Sequence, residues 1–568
     1  MLRAGWILGV CCLLAPATAR PQLLRGDSLR VLNAAQSAQR NFERIRRQFL
    51  PTTGDAGTHA CEAAVGRMCH WQDDDGALPV AEPRSIANAR FSLVSTLGRL
   101  AKLSPGDDWI AGEHIRYMVG SGQDSAAVSA ARACTPSRWY CKILVGYALH
   151  ASGRYGAAAA QFNSALAEMP ATERCRWNDI SVLLSDDERD NYNRLPCGQR
   201  DSVEQRFWEL AQPSFIISGN DRRTEHFSRA LLADLSQDAA NAYGLNWGSD
   251  MRELLIRYGE PGWYTTTWPP PFSEPPTPIG HDKTPSFHFV AEMTGNSARW
   301  DAHAHIARER YAPPYIDTLT DLAAQFAMMK RGDSALVFAV YNDTSPGKAV
   351  LGLPDEVRDT APADLRHAHV RRARTAWKAM MVAMEQFDPR SRRDAQARVW
   401  LAPPSHARGA PDLSTLLLFA ADTSAPTGTL DDALALALTA NDLRGTRQLG
   451  LYWEVYGVAA KDSSGGEGVA PATTDSAATA PSESSSVLVT VVRTDGGLMR
   501  WLGSALHITQ RDSPLAVRWR DTRSDNGIAV HSVVLDLTHL AEGTYRVSVA
   551  VGSDSTHRTE VSREIRLR

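Results

Sequence analysis

A recurrence at a spacing of 34 residues constrains this chain more than any other feature. Gly112 and Gly146, Val128 and Phe162, Ala131 and Ala165, and Pro136 and Pro170 each stand 34 positions apart. That period is the length of a helix–turn–helix unit, which cannot bury its apolar face alone and is stabilised by stacking on copies of itself. The clearer copy reads Ile143-Leu-Val-Gly-Tyr-Ala-Leu-His-Ala-Ser-Gly-Arg-Tyr155, followed by Ala158, Phe162, Ala165 and Pro170. Gly146, Ala158 and Ala165 let paired helices approach closely, Phe162 fills the space between them, and Pro170 stops the second helix. The earlier copy is weaker, with Asp124 where the later one has Ala158. Helices predicted at 83–103 and 202–212 complete the array. A basic amphipathic helix predicted over about 28–50 (Leu29, Val31, Leu32, Phe42, Ile45, Phe49) precedes it.

The pattern over about 105–170 is similar to tetratricopeptide repeats. The resemblance implies either a concave surface that binds a peptide or an adaptor that only packs. Cysteines concentrate in the same region. Beyond Cys11 and Cys12, six remain in three local couples: Cys61 and Cys69, Cys134 and Cys141, Cys175 and Cys197. An even count in an oxidising compartment reads as disulfides, and nearness in sequence favours pairing within each couple. Metal binding is the alternative, although no couple has the C-x-x-C spacing of a zinc knuckle.

The start of the chain points to that compartment. Arg3, an apolar run from Trp6 to Leu14 and the small residues Ala17-Thr18-Ala19 read as a signal peptide over 1–19, cleaved before Arg20. The run is too short for an ordinary membrane helix, and an uncleaved anchor is the rival reading. No later segment reaches membrane-span length, so the expectation is an exported protein of the periplasm or cell surface, without a transmembrane span after cleavage. A net charge of −3 offers no general attraction to nucleic acid or anionic lipid.

The central region carries Gly244-Leu-Asn-Trp247-Gly-Ser249-Asp250-Met-Arg-Glu-Leu254-Leu-Ile256-Arg-Tyr258-Gly259-Glu-Pro261. It resembles the GWxTD domain of exported bacterial proteins, whose Gly-Trp-x-Thr-Asp core is followed by an apolar stretch ending in Gly-x-Pro. The run from Phe207-Trp208 through Gly219-Asn-Asp-Arg-Arg223-Thr-Glu-His226 and the strand Leu413–Phe419 extend the resemblance over about 200–460. Asn246 and Ser249 replace the family's first glycine and its threonine. The resemblance implies architecture and no chemistry. By residue type, Ser249 and Asp250 suit a cap at the start of an element, Trp247 packs beneath it, and Gly259-Glu-Pro261 makes a closing turn. The alternative is a ligand held by Asp250 and Arg252. The proline-rich stretch at 269–278 reads as a surface connector or an extended binding arm.

From about 335 the periodicity becomes two. Ser334–Tyr341, Ala397–Leu401, Leu413–Phe419 and Gly450–Tyr456 read as strands, with an inserted helical segment at about 362–384. Residues 461–486 are Ser, Ala, Thr and Gly-rich and read as a flexible linker. Beyond it Val487–Arg493, Ser504–Gln510, Ala516–Arg520, Ala529–Leu537, Thr544–Val551 and Val561–Leu567 suggest a β-sandwich. There Leu540-Ala-Glu-Gly543-Thr-Tyr545 resembles the tyrosine corner of immunoglobulin-like domains. The expected fold is thus multidomain α + β. A helical array with tetratricopeptide-like repeats occupies 28–200, and a central α/β GWxTD-type domain 201–333. A sandwich-like domain with a helical insertion covers 334–460, and a second sandwich 487–568.

Catalytic signatures are missing: no G-x-S-x-G elbow, H-E-x-x-H helix, phosphate loop or dinucleotide fingerprint is present. Two H-x-H pairs, His303/His305 and His367/His369, have strand spacing suited to a metal, with Glu292 and Asp301 near the first. In a chain with 16 histidines such a short pattern also arises by chance. The leading expectation is a non-enzymatic interaction protein of the envelope that binds a protein partner through its helical repeats, with no cofactor. The alternatives are a metal-dependent or atypical hydrolase centred on 244–310 and a carbohydrate-binding protein using exposed aromatics of the sandwich.

Overall fold

The computed structural model describes residues 25–53, 63–70, 79–135, 137–267, 276–281, 288–290, 299–301, 311–342, 347–353, 356–358, 363–364, 369–405, 410–421, 428–445, 448–457, 486–495, 515–520, 527–552 and 558–568. The amphipathic pattern near the start forms α1 (Arg25–Gln48), followed by the short strands β1 (Thr52–Thr53), β2 (Ala63–Val65) and β3 (Met68–His70). Six helices then run as α2 (Arg84–Leu103), α3 (Asp108–Val119), α4 (Asp124–Arg132), α5 (Arg138–Ala151), α6 (Tyr155–Glu168) and α7 (Ala171–Asn178). Asp107 starts α3 by accepting a hydrogen bond from the Ile110 amide. The turn between α5 and α6 passes through Gly153 at φ +72°, which glycine adopts without steric cost. Disulfides join Cys134 to Cys141 across the α4–α5 turn, and Cys175 of α7 to Cys197. Cys61 lies outside the described residues, and so does the Cys69 side chain.

Next come α8 (Asp186–Arg194), α9 (Asp201–Ala211), α10 (Asp221–Ser236) and α11 (Ser249–Tyr258). One apolar core runs from Ala35 of α1 through Leu144, Phe162 and Phe207 to Phe227, Leu255 and Ile256. The expected domain boundary near residue 200 is therefore not a boundary of packing. The helices assigned by sequence to a central domain close the core of the repeats. Strands β4 (Trp263–Thr267) and β5 (Pro278–His281) form a small sheet with β1, in the order β1-β4-β5, and β6 (His288–Val290) pairs with β7 (Arg299–Asp301).

The β region begins with β8 (Thr318–Asp321), β9 (Ala324–Arg331), β10 (Ser334–Tyr341), β11 (Lys348–Leu353), β12 (Glu356–Arg358), β13 (Ala363–Asp364), β14 (His369–Ala376), β15 (Met380–Asp388) and β16 (Arg393–Leu401). They make sheet I, ordered β12-β11-β15-β16-β8, and sheet II, ordered β13-β14-β10-β9. Met328, Val337, Tyr341, Leu351, Val382 and Met384 fill the space between these two sheets. Of the helical insertion expected at about 362–384, the described residues form the strands β13, β14 and the start of β15 instead. Ala, Arg and Met favour a helix locally, but β14 pairs along β10 and β15 buries alternate residues on both faces, so tertiary pairing overrides propensity.

The chain continues through β17 (Asp412–Leu413), β18 (Leu417–Ala420), α12 (Leu430–Ala435), β19 (Asp442–Leu443), β20 (Gln448–Tyr456), β21 (Ser486–Arg493), β22 (Leu515–Arg520), β23 (Ile528–Asp536), β24 (Gly543–Gly552) and β25 (Arg558–Leu567). In sheet III, β20 carries β17 and β18 on one edge and β23 on the other. Sheet IV is ordered β19-β25-β24-β21-β22. Phe338, Val340, Phe419 and Tyr452 pack between sheets II and III, while Leu451, Trp453, Val489, Val549 and Ile565 pack between III and IV. The two sandwich modules expected from sequence thus share a sheet, because β20 pairs with β23 across the expected linker. Most of that linker, and the strand expected at 504–510, lie outside the described residues. Tyr545 donates its hydroxyl to the Ala541 carbonyl at 2.8 Å and so ties the preceding loop to β24.

Sheet I meets the helical half at the loop after α9. Leu210 and Phe215 pack on Met381 and Ala383, and a Cβ on Gly352 would stand 2.2 Å from the Phe215 side chain. At this seam the fully buried Glu385 carboxylate accepts from Ser214 Oγ (2.9 Å), the Phe215 amide (2.8 Å) and the Ile216 amide (3.2 Å). Arg398 lies 3.3 Å from Glu385 and also donates to the carbonyls of Gln212 and Pro213. Replacing Glu385 by Ala would strand three donors and a buried guanidinium. The expected loss is about 3–5 kcal/mol, read as an earlier denaturant transition of the joint between the halves. A variant unfolding like the parent would contradict this account.

Candidate functional site

The motif from Gly244 to Pro261 forms a clasp. Helix α11 starts after Gly248, and no side chain caps it. The N-cap residue, Gly248, supplies none of the expected capping, while Asp250 in the first turn accepts from the Met251 amide at 2.9 Å and otherwise turns to the β2–β3 hairpin. Its carboxylate accepts from Arg67 Nε at 2.6 Å, Arg67 Nη2 at 2.8 Å and the Arg67 amide at 3.1 Å. The hydrogen bonds from the Arg67 side chain hold Asp250 well below the usual carboxylate range. Gly66, at φ +55°, allows this approach, since a Cβ there would stand 2.5 Å from the Asp250 Cβ. Arg67 also donates to the Asn246 carbonyl, and half-buried Trp247 packs against the helical core. Ser249 is the first residue of α11. Gly259, at φ +87°, closes the helix where Arg229 donates to the Ile256 and Arg257 carbonyls, and Pro261 lies against Gly280. Arg252 pairs with Asp234 at 2.9 Å. Converting Asp250 to Asn would remove the charge that Arg67 grips. Amide hydrogen exchange across 63–70 is expected to quicken while α11 keeps its protection, and unchanged exchange in the hairpin would refute the clasp.

The repeat residues occupy the interior: Ala158, Phe162 and Ala165 are fully buried, and a Cβ on Gly146 would stand 2.9 Å from the Phe162 ring. Pro170 ends the α6 connection and leads into α7. The face along α3 and α5 is covered by the chain itself. Helix α10 lies against α3 and α5, with Leu235 over Gly112, Trp109 donating to the Leu235 carbonyl at 3.1 Å, and Phe227 5.2 Å from Phe162. His150 meets Thr224 Oγ1 at 2.8 Å and Glu225 Oε2 at 2.7 Å. Burial alone would raise Glu225, but Arg229 and His150 outweigh it and hold the carboxyl low.

An open groove of about 810 Å³ remains beside α10. Its walls come from α6, α9 and the loop 212–220. Side-chain amides line the groove (Asn163, Asn178, Gln205, Gln212, Asn220) beside apolar surface that includes Trp208, Ile216 and Ile217, with Glu204, Glu209 and Asp201 along α9. Gly219, at φ +89°, brings the loop onto α6, since a Cβ there would stand 2.8 Å from the Gly156 backbone. Asn220 caps α10 through the Arg223 amide and donates to the Trp208 carbonyl at 2.6 Å. Arg223 enters the groove with Nη1 on the neutral Asn163 Oδ1 at 2.9 Å, and burial lowers its pKa. Beneath it the fully buried Asp221 accepts from Tyr311 at 2.5 Å and Tyr315 at 3.2 Å. Burial, opposed by those bonds, raises its carboxyl to about 6.

His303, His305, His367, Glu292 and most of the proline-rich stretch lie outside the described residues, and His369 sits on β14 beside Tyr341. Among the described residues no cluster of three or more His, Cys, Asp or Glu could hold a metal. Comparison with family models and with curated proteins finds no match. The groove residues belong to no sequence motif. Their signal was the polar run Asn220–His226 at the head of a helix whose next turns are apolar, since polar side chains then fall on the buried side as well.

Asp221 gives a pH signature. Its folded pKa is raised from 3.8 to about 6, so its contribution to stability is present below the unfolded value and lost as pH rises through the folded one. Relative to Asp221→Asn, the parent should lose on the order of 3 kcal/mol between about pH 4 and 6. Melting temperatures of both proteins across that range test it, and parallel profiles would refute it.

Proposed function

We propose that this chain is an exported, non-enzymatic interaction protein of a bacterial envelope, of the kind its GWxTD-like motif suggests. It grips an extended segment of a protein partner in the groove between α6, α9 and the loop 212–220. The observation that carries the reading is the groove's lining. Asn163 and Gln205 each keep one side-chain amide group, and Asn178 both, outside the hydrogen bonds within the fold, which matches the groups of an extended backbone, while Ile216 and Ile217 supply apolar contact and Arg223 a charged anchor. The binding surface thus lies at the end of the repeats, because α10 covers the face along α3 and α5. Two disulfides in the helical half, and no helix among the described residues long and apolar enough to cross a membrane, are compatible with export.

Deleting the repeats would remove a core shared with α10 and α11, so the test uses single positions. A photoreactive residue is placed at exposed Asn163 or Gln205, and at exposed Arg30 on α1 as control, in cells carrying the native envelope. Discrete adducts at the two groove positions and none at Arg30 are expected, with one peptide stretch of the partner recovered from both. Adducts absent from the groove, or equal at Arg30, would sink the proposal.

A further inference from the structure

Strand β25 places its odd-numbered residues inward: Thr559, Val561, Ile565 and Leu567 are buried. Arg563 occupies the same register, an inward position filled by a half-buried cation. Its guanidinium crosses from sheet IV to β9 of sheet II, donating to Gln325 Oε1 and the Phe326 carbonyl. Both acceptors are neutral, and among the described residues no carboxylate lies within ion-pair reach of it. Burial lowers its pKa to about 10. A half-buried cation with no carboxylate beside it is incompletely solvated, and an anion that reaches it offsets that cost.

The surroundings have room for that counter-charge. Arg563 lines a cavity of about 410 Å³ together with Asp321, Leu322, Gln325, Gln396, Arg398 and Asn441. Arg398 is matched by Glu385, leaving Arg563 as the cation without a carboxylate, and Asp321 stands on exposed surface. The cavity thus leaves the remaining N–H groups of the guanidinium to meet the oxygens of an oxyanion.

We propose that this cavity, where β9, β16 and β25 meet, is a binding site for a small oxyanion, a phosphate or carboxylate group, anchored by Arg563. The site is separate from the helical groove and does not rest on the interaction role. Occupation would tie sheet IV to sheets I and II, so ligand and stability are linked through the junction.

The test compares melting temperature in sodium chloride with sodium phosphate or sodium succinate at equal ionic strength. A dose-dependent rise of a few degrees in phosphate, succinate or both is expected for the full chain. Phosphate alone would assign a phosphate group, and succinate alone a carboxylate. Arg563→Gln should abolish the response while melting no lower than the parent in chloride, since it removes an uncompensated charge. A second variant, Ala397→Asp, keeps Arg563 and sets a carboxylate on the cavity wall, and it too should lose the response. No rise in the parent with either anion would overturn the proposal. A rise that survives in whichever variant folds would do so as well.

Discussion

The carboxylate of Glu385 holds together parts of the molecule that the chain order keeps apart. A carboxylate with no exposure needs its charge answered, and here the answer comes from two backbone amides and a hydroxyl of the loop 212–220, with Arg398 beside them. That loop is also one wall of the groove and ends in the residue that caps α10. The position of α10 in turn decides which repeat face is covered. A single buried ion on a strand therefore sets the register between two halves of different secondary structure. Around it Phe215, Met381 and Ala383 supply apolar contact without directional preference.

Much of the helical half was legible because its signals are local. The spacing of Gly146, Ala158, Phe162 and Ala165 specifies a helix pair whatever surrounds it, and α5 and α6 follow that reading closely. The destination of α10 was not legible. Its sequence shows an N-cap and a helix, but nothing in Asn220–His226 says that Thr224 and Glu225 will meet His150, a residue 74 and 75 positions away. Asp250 teaches the same lesson. Its residue type suits a cap, and only the fold brings Arg67 within reach. For the groove, sequence offers amides scattered over α6, α9 and a loop, with no periodicity to link them.

In the β region the misreadings share one physical cause. Alternation identifies a strand with one wet face, whereas β10, β15 and β20 are covered on both faces. In β20 the face of Leu451, Trp453 and Val455 was clear, but Glu454 on the opposite face is buried as well, answered by Arg331 and by the hydroxyls of Tyr452 and Tyr456. Strands covered on both sides read as continuous apolar runs, and in β15 such a run of Met and Ala is indistinguishable from a helix without knowledge of its partners. The expected division into two sandwiches failed similarly, since strand pairing leaves no mark on the linker between the paired segments.

The closing strands carry a consequence for how the molecule is made. Asp442 and Leu443 pair in parallel with Arg566 and Leu567, and β20 finds its second neighbour only in β23. A chain delivered N-terminus first can close its helical core once α11 has emerged, but β20 waits for partners 72 to 88 positions downstream and β19 for partners 124 positions downstream. During that interval the inner face of β20, with Leu451, Trp453 and Val455, has no cover from its own sequence. Assembly is thus fast and local at one end and slow at the other, and the period of greatest vulnerability to misassociation falls late in synthesis.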